Sequence, residues 1–83
     1  MTPAVVYAEI AEQRMLELQM TAVNYAEQRI REAAQAGSRS VFLKERGWGM
    51  HPPAYIVAAT AFMRENGYKV QYMPLYKETE VKW

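Results

Sequence analysis

The sequence has no cysteine and no aspartate, a single histidine and two serines. Without thiols it can form neither a disulfide nor a thiolate metal site, and His51 alone cannot build a zinc cluster. A nucleophilic triad would have to draw on Ser38 or Ser40, His51 and a glutamate; a loop histidine is the simpler reading. We therefore expect neither an enzyme nor a cofactor. Long apolar runs are also missing. The longest, Ala54 to Met63, is about half of what spans a bilayer. Met1 to Ile10 has no basic start followed by an apolar stretch, so no secretory signal is read there. These absences point to a cytoplasmic protein without a membrane partner.

What the chain does have is apolar material in a short length. Of 83 residues, 51% are hydrophobic and ten are aromatic (two Trp, six Tyr, two Phe). A chain of this size buries only about 60% of its unfolded surface, and oligomerisation is a common remedy. Net charge is +1, which gives no field for a long polyanion; nucleic acid is disfavoured as a partner. Residues 37–53 form a mild basic island, with Arg39, Lys44 and Arg46 against Glu45.

The expected fold is α+β, one domain over residues 1–83 with elements in the order α-β-α-β-β. A long N-terminal helix over about 3–36 and a second, shorter helix cover one face of a three-stranded sheet. No glycine or proline interrupts Ala4 to Ala36. Thr2 is placed to cap the helix and Pro3 suits its first turn. Leu16, Met20, Val23, Ile30 and Ala34 recur at helical spacing, flanked by Met15, Leu18, Ala22, Tyr25 and Ala26. Glu27 and Arg31 are a favourable i,i+4 pair. Gly37 suits the left-handed residue that ends a helix.

The strand-helix-hairpin unit over about 38–83 begins with a strand at Ser40 to Lys44, Val41 and Leu43 facing the core. A helix from Pro53 to Glu65 should be largely buried and is closed by Asn66-Gly67. A strand at Lys69 to Met73 follows, then a turn at Pro74-Leu75. Tyr76 to Trp83 alternates, with Thr79, Val81 and Trp83 inward and Glu78, Glu80 and Lys82 outward. The last strand is expected in the centre, antiparallel to both others.

A helix of about 33 residues is about 50 Å long, against about 25 Å for a globule of this size. It either breaks near Gln13-Arg14 or projects. A projecting half would carry Val5, Val6, Ile10 and Met15 and would need a partner; Val6, Ile10 and Met15 are the candidate self-association residues, for a homodimer or larger assembly.

The loop Arg46 to Pro53 holds two glycines and two prolines around Trp48. Tryptophan and arginine are enriched at binding hot spots, so Arg46, Trp48, Met50 and His51 are the candidate partner-binding set. The competing reading folds Trp48 back over the small core. A third set, Arg39, Lys44, Lys69 and Tyr72, could hold a small nucleotide through charge and stacking, or make a weak nucleic-acid-binding module.

A long helix ending in glycine, a short strand, a helix running into Asn66-Gly67-Tyr68-Lys69-Val70, and a strand closing as Thr79-Glu80-Val81-Lys82-Trp83 together resemble small accessory proteins of tailed bacteriophages. The likeness covers residues 22–83. It implies a phage-encoded protein in host cytoplasm, host-directed or of unknown role, with a host protein as one candidate partner. It carries over no catalytic residue.

Overall fold

The computed structural model describes residues 1–49 and 51–83. Its elements are α1 (Ala4–Gln35), β1 (Ser40–Leu43), α2 (Ala54–Glu65), β2 (Lys69–Met73) and β3 (Glu78–Lys82). This is the expected α+β order. The strands run β1-β3-β2, with β3 antiparallel to both neighbours. β1 and β2 are therefore parallel, joined through α2.

Register places Val41, Val81 and Val70 side by side in one row. Leu43, Thr79 and Tyr72 form the next. These inward residues meet the helices: α1 lies against β1, α2 against β2, and the two helices against each other. The core comprises Ala22, Ala26 and Ile30 of α1, Ile56, Ala59 and Met63 of α2, the four aliphatic strand residues and Trp48. Phe42, Glu80 and Gln71 make an outward row on the open face.

Both helices end in the same way. The amide of Ser38 donates to the carbonyl of Ala33 and that of Gly37 to Ala34, with φ +86° at Gly37. At α2, Tyr68 donates to Met63 and Gly67 to Arg64. Each is a Schellman motif that satisfies otherwise orphaned carbonyls.

Several expectations are corrected. Pro3, not Thr2, holds the N-cap position, with no side-chain cap; Pro53 likewise precedes α2 rather than opening it. The α1 residues that meet the core are Ala22, Ala26 and Ile30, while Leu16 and Met20 are exposed. Small side chains let the helix axis approach the sheet closely, so the alanine face is taken in and the bulkier face stays out. The ion pair on α1 is Arg14 to Glu17 at 3.3 Å, and none joins Glu27 to Arg31 among the described residues. α2 is buried on one side only, with Val57 and Phe62 exposed. Tyr76 and Lys77 belong to a turn, where Lys77 takes φ +53°, so the last strand begins at Glu78.

α1 is one unbroken helix of 32 residues. The molecule measures 55 × 26 × 19 Å, because the N-terminal half of α1 runs on past the sheet. Every residue from Met1 to Arg14 is exposed.

Candidate functional site

The β1–α2 loop is built around Trp48, whose side chain is fully buried. Its indole Nε1–H donates to the Ala22 carbonyl at 3.2 Å, and its own carbonyl accepts the hydroxyl of Thr79. One residue thus ties the loop to α1 and to the central strand. The flanking glycines are dictated by this packing. Gly47 has φ +89°, and a Cβ there would lie 2.7 Å from the Tyr55 hydroxyl. A Cβ on Gly49 would lie 2.8 Å from the Lys44 carbonyl oxygen and 3.2 Å from that of Lys77. Those neighbours are backbone and cannot swing aside.

Trp48 therefore occupies the core position and is removed from the partner-binding set. Of the rest, Arg46 is exposed but stands over the Tyr25 ring, 5.4 Å from its centroid. His51 is exposed, at φ +49°. Met50 lies outside the described residues. Tyr25, the ring that receives Arg46, stands out in the sequence only as a flank of the helix's apolar face.

The nucleotide set is not brought together. Lys69 pairs across β2 and β3 with Lys82, and Ser40 lies on the other side of Lys82. Arg39 adjoins that end of the sheet, where its Nε donates to the Trp83 carbonyl at 3.2 Å. Lys44 sits at the far end, 3.9 Å from Glu78. Tyr72 is on the helix-covered face, beside Ile56, Thr60 and Arg64. Of the cations near Lys69, Arg64 is bonded to the Val70 carbonyl at 2.7 Å and Lys82 is paired with Glu80 at 3.3 Å. The site is thus broken up by distance, by face and by internal pairing. Among the described residues there is no cluster of three potential metal ligands, and no helix is long and apolar enough to cross a membrane.

What remains is the α1 arm. Among the described residues, seven of the twelve large exposed apolar side chains are Met1, Val5, Val6, Tyr7, Ile10, Leu16 and Met20. Ala4 to Ala11 contains one charged residue, Glu9, and a helix apolar on every side is normally enclosed. Val6 and Ile10 are 38% and 58% exposed. Met15, expected to join them, is nine residues and two and a half turns from Val6. It faces the opposite side and is half-buried. Leu16 and Met20 take its place on the exposed side, and they lead to Val23 at the rim of an apolar groove of about 220 Å³ between α1 and α2, which Phe62 and Tyr68 also line. The sequence did show these residues as an apolar stripe, but a stripe does not say which neighbour covers it.

Compared with known proteins, the chain matches no family model, and no similar curated protein or solved structure was found. Nothing in these comparisons bears on the phage resemblance.

Proposed function

We propose that this chain is a small non-catalytic binding protein that works by protein–protein contact and self-associates through the N-terminal half of α1. The observation that carries the reading is the exposure of every residue from Met1 to Arg14, Val5, Val6, Tyr7 and Ile10 among them. Exposed apolar surface concentrated on one element marks an interaction site. The division of charge supports it. Residues 1–20 carry Glu9, Glu12 and Glu17 against Arg14, net −2, and the whole chain is +1, so residues 21–83 carry +3. The arm and the body are thus opposite in sign. The phage resemblance adds a host protein as a second partner of the same kind.

Light scattering over a range of concentrations tests the reading. We expect a dimer or larger species that dissociates on dilution. A monomer of 9.6 kDa at every concentration, with the arm intact, overturns it.

A further inference from the structure

The exposed stripe on α1 is symmetric about one residue. Val6 and Met20 stand seven positions either side of Gln13, and Ile10 and Leu16 stand three either side. All four apolar residues are exposed, and so is Gln13. From this we infer that the arms of two copies pair antiparallel on a two-fold axis at Gln13, with Val6 against Met20 of the partner subunit and Ile10 against Leu16 of the partner subunit. The inference rests on the self-association reading above.

A two-fold contact must be self-complementary, residue i meeting j and j meeting i; the Gln13-centred stripe has that property. The polar residue at its centre is also in place, since a single buried amide commonly fixes helix register. Charge decides the direction. A parallel pair would set Glu9, Glu12, Arg14 and Glu17 each level with its own copy, four like-charge levels. The antiparallel pair sets Glu12 level with Arg14 twice and Glu9 level with Glu17 twice, so two of the four become favourable. It also opposes the two helix dipoles and carries each arm, residues 1–20 with net −2, toward the other body, net +3.

Length decides how far the contact extends. The free arm, Ala4 to Arg14, is about 17 Å long. A second copy in register about Gln13 runs beside Ala4 to Ala22, about 28 Å, and its tip then reaches the Val23–Phe62 end of the inter-helix groove.

The lack of native cysteine makes the test direct. Val6→Cys and Met20→Cys are made in separate chains, and Ile10→Cys and Leu16→Cys serve as a second pair. All four sites are exposed, so the substitutions leave the fold in place. Positions 6 and 20 of one chain are about 21 Å apart along the helix, which excludes an internal disulfide. Under mild oxidation, a mixture of the Val6→Cys and Met20→Cys chains should give about tenfold more linked dimer than either chain alone, since disulfide geometry is strict. The second pair should behave alike. If each variant links to its own kind and mixing adds nothing, the pairing is parallel and the antiparallel arrangement is overturned, while self-association stands. An oligomer by light scattering with no link at either pair also overturns the arrangement alone. A monomer by light scattering overturns the underlying reading as well.

Discussion

The indole N–H of Trp48 donates to the carbonyl of Ala22, 26 positions earlier in the chain, across a buried 3.2 Å contact. That bond joins the loop between β1 and α2 to the middle of α1. It sits where the helix passes from open solvent onto the sheet, between the exposed Met20 and the buried Ala26.

Removing the indole should therefore be costly. Trp48→Ala is expected to lower stability by about 3–5 kcal/mol, a large part of the 5–15 kcal/mol typical of a whole domain. Trp48→Phe keeps most of the volume and loses the hydrogen bond, and should cost about 1–3 kcal/mol. Urea unfolding followed by circular dichroism measures both. A Trp48→Ala chain as stable as the parent would show that the side chain is not in the core.

Thr79→Val isolates the other tie. It keeps the shape and removes the hydroxyl that donates to the Trp48 carbonyl, leaving a buried acceptor unpaired. The expected loss is about 1–3 kcal/mol. Trp48→Phe and Thr79→Val act on one unit, so the double variant should lose less than the sum of the singles.

The loop glycines should rank by what surrounds them. Gly49→Ala forces a Cβ against two backbone carbonyls and should cost about 1–3 kcal/mol as overpacking. Gly37→Ala meets nothing within 4 Å, so only the left-handed φ opposes it, at about 1 kcal/mol. Equal losses at the two positions would argue against the close approach at Gly49.

On the arm, Ile10→Glu should leave unfolding of the monomer within about 0.5 kcal/mol of the parent, as for other exposed positions, and abolish association. The parent's Tm should rise with protein concentration and the variant's should not. Sedimentation velocity and thermal scans at three concentrations decide it. An Ile10→Glu chain that still assembles would place the interface elsewhere.

Salt should weaken assembly. The arm, residues 1–20, is net −2 and the rest of the chain is net +3, and pairing carries each arm toward the other body. Raising ionic strength from about 0.01 M to about 0.15 M shortens the screening length from about 30 Å to about 8 Å, and dissociation constants from analytical ultracentrifugation should rise. Strengthening by salt would instead point to an interface in which the acidic arms meet only each other.

The residues that could be placed from sequence were those with one physical option. Thr79 and Val81 alternate with Glu78, Glu80 and Lys82, so a half-solvated strand follows, and the structure has it over Glu78–Lys82, with Trp83 just past its end. Gly37 and Gly67 follow helical runs, and both close Schellman motifs. Sequence failed where two surfaces competed for one neighbour. Leu16 and Met20 look more like core than Ala22 and Ala26 do, yet the sheet took the alanines, because close packing depends on shape as well as hydrophobicity. Trp48 had no periodic context at all, so the same glycine-flanked loop fitted a hot spot and a core plug equally. Residue type alone groups Lys44 and Tyr72 with Lys69, because strand register, which separates Lys44 by end and Tyr72 by face, is not written in composition.

The unbroken run of α1 from open solvent into the core has a consequence for local order. A helix of fewer than about 12–15 residues is marginal in water by itself, and no residue from Ala4 to Arg14 is buried. Its backbone amides are protected only through continuity with the anchored turns from Ala22 onward. Protection against hydrogen exchange should therefore fall stepwise toward Ala4, and whatever docks on the arm should steepen or erase that gradient. The N-terminal boundary of the helix then becomes a gauge of occupancy, set by the partner rather than by the chain alone.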